Sequence, residues 1–394
     1  MPAADSPAII VARFLKANNY TESYEAFIAE AGLPHDAGTV SKGDLTLEVL
    51  LEEKKSFDLS AQFEKLGTED GVGGWKKPVF RERHLLTASM SGQLLVSNIE
   101  GSTIDKRRDH SKYIVKVAVH DEDERPLVAT AGWDSKINIY SPVVDGEFSL
   151  GDPTATISLQ TKPEAMVFLQ HPETAQPILI ISRTDSSFLY YYTTEKEPRL
   201  LGRQNLAPHS NAWVAFTPSA LALCPTDPSL LAVGTSTVPH MKLLLVRLLV
   251  PPFDQEAPLT QAPTLQLRTS LLDDGPATET QASQARAALA IAERESAAIQ
   301  IHCTTMAPQT AYSTPAVAWR PDGSGVWVNG DDGAIRGVEV SSGKVVSTLQ
   351  GHEAGSKVRC LWAGDVEGQD GREELLVSGG FDQKLIVWKT MPPS

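Results

Sequence analysis

The sequence predicts a mainly β chain built as a propeller, and three observations lead there. First, the segment GHEAGSKVRCLW…ELLVSGGFDQKLIVWKT places His352, Ser378, Asp382 and Trp388 in one unit. Second, DHSKYIVKVAV…PLVATAGWDSKINIY repeats the pattern with His110, Thr130, Asp134 and Tyr140. In both, the hydroxyl stands four residues before the Asp and the aromatic six residues after it. An alternating strand, a tight turn carrying the Asp and a second alternating strand make a β-hairpin. Third, such turns recur near Ser91, Asp134, Asp185, Thr237, Asp332 and Asp382, at intervals of 43, 51, 52, 95 and 50 residues. A period of roughly 40–50 residues is that of propeller blades.

The interval of 95 is about twice the others, so a degenerate blade is expected to hide within 250–312. Seven blades are therefore expected, with six plus a long insertion as the alternative. The 394 residues exceed the ~250–300 that one core usually serves. A propeller escapes that limit because each blade adds its own slice of core.

The propeller is expected over 72–390. Within it, MKLLLVRLLV at 241–250 is interrupted by Arg247 and ended by Pro251-Pro252, and reads as a buried strand. TETQASQARAALAIAERESAA at 278–298 is Ala-rich and free of Gly and Pro, which suits a surface helix or a partly disordered insertion, with a strand following in AIQIHC. The last blade stops after a third strand, at Trp388-Lys389-Thr390. An open strand edge is an aggregation hazard, so residues 72–82 (VGGWKKPVFRE) are expected to close it.

Residues 6–34 form a separate helical module. Ser6-Pro7 is a helix start, with Ser as the cap and Pro in the first turn. Ile10, Phe14 and Leu15 follow at helical spacing, and Asn18-Asn19 breaks the helix. Thr21 is expected to cap a second helix with the stripe Tyr24, Phe27 and Ile28, closed by Gly32-Leu33-Pro34. Two helices this short cannot bury a core alone, and oligomerisation is the simplest remedy. A further helical stretch at 44–67 reads as a connector, and GTEDGVGG at 67–74 as a linker.

The string IIVARFLKANNYTESYEAFIAEAGL resembles the Lis-homology (LisH) motif through Phe14-Leu15, the Asn19-Tyr20 corner and the phase of Tyr24, Phe27 and Glu30. The resemblance implies a homodimer formed by Ile10, Phe14, Leu15, Tyr20, Tyr24, Phe27 and Ile28. The plainer reading is a capped hairpin docked on its own propeller. The C-terminal portion resembles the WD-repeat family, in which His, Ser/Thr, Asp and Trp form a hydrogen-bonded tetrad. In that family Asp accepts from His, His contacts the hydroxyl, and the hydroxyl meets the indole N–H. The match is complete at His352/Ser378/Asp382/Trp388. At His110/Thr130/Asp134/Tyr140 a phenol replaces the indole. Asp185 with Tyr191 matches in part, Thr87 and Ser91 fill slots without the Asp, and Asp332 faces Val328 and Val338 where a hydroxyl and an aromatic are expected.

His352, Ser378 and Asp382 are also the residue types of a hydrolytic triad, but no G-x-S-x-G elbow accompanies them, and their recurrence in two units argues for a structural role. GHEAGSK fails the spacing of a phosphate loop, and the Asp-Asp-Gly turns at 273–275 and 331–333 lack the spaced oxygens of a calcium loop. No paired His/Cys spacing suggests a metal, and no cofactor is expected. Lys106-Arg107-Arg108 reads as a solvated loop.

Thirty-five basic and 49 acidic residues give a net charge of −14, which opposes general binding to nucleic acid or anionic membrane. Three cysteines, Cys224, Cys303 and Cys360, lie far apart, which suits a reducing compartment. No signal-peptide core and no run of 18 apolar residues occurs, so an intracellular protein, cytoplasmic or nuclear, is expected. Trp133 and Phe381 each precede a tetrad Asp, where an aromatic serves either as a rim anchor for a partner or as packing against the next blade. Arg359 is a second rim candidate.

The expected function is a non-enzymatic scaffold that dimerises through its N-terminal helices and recruits proteins on the propeller. The resemblance also covers subunits of RNA- or chromatin-associated complexes, ubiquitin-ligase substrate receptors and dynein regulators.

Overall fold

In this computed structural model the described residues are 6–40, 46–47, 84–98, 100–121, 126–143, 148–212, 214–253, 281–368 and 371–389. The chain divides into two compact units, residues 1–75 and 76–394.

The first unit is a helical hairpin, α1 (Pro7–Ala17) and α2 (Thr21–Ala31). Ser6 holds extended backbone ahead of Pro7, which pre-sets the first helical turn. The Asn18 amide donates to the Phe14 carbonyl at 3.0 Å, and Asn19 turns the chain at φ +59°. Tyr20, not Thr21, is the cap of α2; Thr21 is already helical, because the left-handed turn at Asn19 leaves only one residue before the helix. Gly32 ends α2 at φ +62°. Ala12, Tyr24 and Ile28 form the core, with Leu15, Phe27, Leu33 and Ala37 against it. The Tyr24 hydroxyl donates to the His35 carbonyl at 2.9 Å and accepts from the Gly38 N–H at 3.3 Å, folding 33–40 back over the helices.

The second unit is a mainly β, six-bladed propeller of antiparallel meanders. Blade 1 holds β1 (His84–Ala88), β2 (Leu94–Asn98) and β3 (Thr103–Arg107). Blade 2 holds β4 (Ile114–His120), β5 (Leu127–Gly132), β6 (Lys136–Tyr140) and β7 (Ala155–Ser158). Blade 3 holds β8 (Pro163–Gln170), β9 (Pro177–Arg183), β10 (Phe188–Thr193) and β11 (Leu200–Asn205). Blade 4 holds β12 (Pro218–Leu223), β13 (Leu230–Thr235), β14 (His240–Arg247) and β15 (Ile299–Pro308). Blade 5 holds β16 (Val317–Trp319), β17 (Gly325–Asn329), β18 (Ala334–Glu339) and β19 (Val345–Gln350). Blade 6 holds β20 (Val358–Gly368), β21 (Gly371–Gly380) and β22 (Leu385–Lys389).

The described residues form six blades, not the expected seven, and the register explains why. β15 pairs back onto β14, Leu244 opposite His302, so the long interval is an insertion between the third and fourth strands of one blade. Spacing alone counts residues and cannot tell an insertion from a blade. The insertion carries α3 (Gln281–Ala298), with the strand β15 directly after it. Glu295 of α3 is buried and accepts from the Asn205 N–H on β11 at 2.7 Å, which ties the insertion to the outer strand of blade 3.

β1 takes second place in its blade. It leads into the turn at Ser91 as β5 leads into Asp134, and the bond from the Ile114 N–H to the Ser89 carbonyl matches that from Val358 to Gly330. An inner strand for blade 1 and an outer strand for blade 6 are not among the described residues. The expected closing strand at 72–82 lies outside them, as does the connector at 44–67 apart from residues 46–47.

The core sits between blades. Ile178, Ile180, Leu189, Leu231, Val233 and Leu244 fill the space between blades 3 and 4 with almost no exposure. Comparable clusters join blades 2 and 3 and blades 4 and 5. Between blades 5 and 6 only Ile335, Val358 and Leu376 are buried in the cluster.

Candidate partner-binding site

The tetrad residues meet inside blades 2 and 6. The turn after the second strand presents Asp382, and the loop before the first strand presents His352; their ring nitrogen and carboxylate approach to 2.9 Å. His352 Nε2 lies 2.8 Å from Ser378 Oγ, and the Trp388 indole N–H donates to that oxygen at 2.9 Å. One proton assignment satisfies all four groups: Trp388 donates to Ser378, Ser378 to His352, and His352 Nδ1–H to Asp382. The backbone N–H groups of Glu353 and Lys384 also donate to Asp382.

Burial works upward on the Asp382 carboxyl, but the bonds from His352 and the two backbone N–H groups outweigh it and hold its pKa below the ordinary value. The His352 and Asp382 side chains are 0% exposed and Ser378 is buried, so the serine oxygen lies sealed beneath an indole rather than on an open elbow.

Blade 2 repeats the first three links. His110 Nδ1 lies 3.0 Å from Asp134, and Nε2 lies 2.8 Å from Thr130. At the fourth position the Tyr140 hydroxyl donates to Asp109 at 3.0 Å and also interacts with the Thr130 hydroxyl. In blade 3 the Tyr191 hydroxyl donates to Gln204 at 2.7 Å.

A small residue two before the Asp is required by close approach. A Cβ on Gly132 would lie 2.3 Å from His110 Nδ1, and one on Gly380 would lie 2.7 Å from His352 Nδ1. A Cβ on Gly330 in blade 5 would lie 2.9 Å from Arg336 Nη1. Arg336 thus occupies the imidazole's place and grips Asp332 at 2.6 Å. Sequence reading missed this substitution; its signal is an arginine four residues after the Asp.

Trp133 and Phe381 stand in the turns between the second and third strands of blades 2 and 6, and Arg359 stands near the start of the first strand of blade 6. Trp133 is 37% exposed, packs its ring against Tyr113 at 4.2 Å and carries Lys162 Nζ over its face at 4.2 Å. Arg359 lays its guanidinium over Phe381 at 4.2 Å and bonds Thr314 Oγ1. Burial pushes the Arg359 pKa down, against the opposing charge of Asp331 and the Tyr113 phenol. Tyr312 adds an exposed ring on the same side, before the inner strand of blade 5. Tyr113, Lys162 and Tyr312 were not singled out from the sequence.

The basic run 106–108 is not a free loop. Lys106 and Arg107 lie on β3, and Arg107 pairs with Asp109 at 2.9 Å and Asp152 at 2.7 Å. In the hairpin, Ile10, Tyr24 and Ile28 are buried, Phe14, Leu15 and Phe27 are half-buried, and Tyr20 is 54% exposed. Among the described residues no group of His, Cys, Asp and Glu could hold a metal, and no helix is long and apolar enough to cross a membrane.

A family model described as UCP007778, beta-propeller domain, matches residues 69–389, and its companion, UCP007778, LisH domain, matches residues 8–35. The chain belongs to the UCP007778 family. Its LisH domain is the hairpin and its propeller domain the six blades. No curated protein matches the sequence. Among solved structures, "Structure of Dos1 propeller" shares 15% identity at a TM-score of 0.45, over 78% of this chain and 64% of that one. "Crystal Structure of Mitotic Checkpoint Complex" shares 12% at 0.46, over 79% and 72%. This UCP007778 member thus spans just under two thirds of the first of these chains.

Proposed function

We propose that the protein is an intracellular, non-enzymatic scaffold, dimerised by its LisH hairpin and recruiting partner proteins at the channel mouth of its propeller. The observation that carries this reading is the contrast between sealed tetrads and an open aromatic rim. The residues with catalytic-looking chemistry are enclosed and fully bonded to one another. The rim instead offers Trp133, Tyr113, Phe381 and Arg359, the aromatic and arginine types that dominate binding hot spots. Three free cysteines and a net charge of −14 support a reducing compartment and protein partners over nucleic acid. The half-buried Phe14 and Phe27 and the exposed Tyr20 support a second hairpin as their cover. A dimer presents two rims, so a bivalent partner gains avidity without new contacts.

The test is affinity capture from the native cell with the full chain and with a Trp133→Ala variant of unchanged melting temperature, together with the mass in solution with and without residues 1–40. A set of proteins held by the first and lost by the second, and a mass that falls to a monomer on truncation, are expected. Identical captures and equal oligomeric states would overturn the reading.

A further inference from the structure

The channel mouth carries two ionisable side chains, Glu164 and Arg359, without a hydrogen-bonded counter-ion among the described residues. Four inner strands each insert one extra residue at the same place, beside the turn: Val115 on β4, Glu164 on β8, Ser219 on β12 and Arg359 on β20. Such a bulge re-aims the extra side chain. β8 belongs to blade 3 and β20 to blade 6, and in a ring of six these blades face each other across the axis. Glu164 and Arg359 therefore occupy equivalent sites on opposite walls. The Tyr113 phenol, just ahead of β4 and packed on Trp133, feels the charge of both.

Neither charge has a hydrogen-bonded counter-ion among the described residues. Arg359 has five N–H donors; its one hydrogen bond is to Thr314, and its buried Nε has no acceptor. The acid whose charge reaches it, Asp331, is already engaged by Lys357 at 3.3 Å and by the Ser313 hydroxyl. Among the described residues Glu164 makes no hydrogen bond or ion pair; burial and the charge of Asp185 push its pKa up to about 7, against Lys162. Partly desolvated charges without partners cost free energy that a matching guest recovers.

We propose that the channel mouth receives a bipolar peptide segment of a partner protein, with a carboxylate seated on Arg359 and an ammonium, guanidinium or amide donor facing Glu164. This rests on the mouth being the docking face. A polyanion such as nucleic acid answers only half of the pair and meets Glu164, Asp331 and Asp185 as repulsion. The guest's apolar side chain lies against the exposed part of Trp133, which Tyr113 and Lys162 hold in place.

The experiment selects displayed random decapeptides on the full chain and measures the winners against Arg359→Gln, Glu164→Gln and Trp133→Ala variants that keep the parent melting temperature. Expected winners carry one fixed Asp or Glu with a Lys or Arg a few positions away. They lose at least about tenfold in affinity on Arg359→Gln or when their acid becomes an amide. On Glu164→Gln they lose the preference for the base and keep the preference for the acid. Winners without charge bias that are still lost on Trp133→Ala overturn the bipolar guest and leave the docking face standing. Winners indifferent to all three variants, or no winners, overturn both.

Discussion

Blades 5 and 6 solve one problem with different chemistry. Each has a carboxylate at the second-to-third strand turn, a glycine two residues before it, and a nitrogen donor pressed against both. In blade 6 the donor is His352, arriving from the preceding loop and sealed with Asp382 at 0% exposure. In blade 5 it is Arg336, arriving from the next strand, with side chains 13% and 36% exposed. The difference teaches that the turn needs a donor against its carboxylate, not an imidazole in particular. It also separates two energetic regimes. The blade 6 chain is dry and complete, so its members depend on one another. The blade 5 pair is a partly solvated salt bridge, whose worth is small and screened.

The largest test of that separation removes the carboxylates. Asp382→Ala strips His352 and two backbone N–H groups of their acceptor inside the blade and is expected to cost about 3 kcal/mol. Asp332→Ala should cost about a third of that, by urea denaturation of the two variants side by side. Equal costs would show that the two turns are energetically alike and break the comparison. Next in size is Ser378→Ala. It leaves the Trp388 N–H without its acceptor and the His352 ring without its donor, for about 2 kcal/mol. Blade 5 already has Val328 at that place, fully buried, so the same loss cannot occur there.

Much of this was legible in the sequence, for physical reasons that differ by element. The hairpins of blades 2 and 6 were readable because the tetrad requires four residue types at fixed spacing. The LisH helices were readable because Pro7, Asn19 and Gly32 punctuate them. The blade count was legible only as a choice between seven and six with a long insertion, because pairing across the 248–298 insertion is a tertiary choice: β15 satisfies the edge of β14, and residue spacing alone does not decide between the two. The rim was half legible. Trp133, Phe381 and Arg359 stood out as large residues beside tight turns. Glu164 did not, because its place depends on a bulge that only the β8–β9 register reveals. Arg336 was hidden for the opposite reason: its spacing from Asp332 is plain, but an arginine there does what a histidine from the preceding loop does in blades 2 and 6.

The smallest effect discriminates most finely. Arg336→Gln keeps a hydrogen-bonding side chain in place and removes the charge. Burial works upward on the Asp332 carboxyl, but the Arg336 bond and the Ala334 N–H outweigh it, so its folded pKa lies below the ordinary value of 3.8. A depressed carboxylate stabilises the fold above its unfolded pKa and loses that contribution as pH falls through the folded value. The variant should therefore be less stable than the parent by about 0.5–1 kcal/mol at neutral pH, after allowing for solvent screening of a half-exposed group. The gap should close on acidification below the ordinary carboxyl range, and it should also shrink as salt is raised at neutral pH. Ser378→Ala should show neither dependence, since no ion pair is removed by it. A salt-independent gap for Arg336→Gln would mean that the guanidinium in blade 5 acts, like the imidazole in blade 6, as a dry structural donor, and that the distinction between the two blades is one of residue type alone.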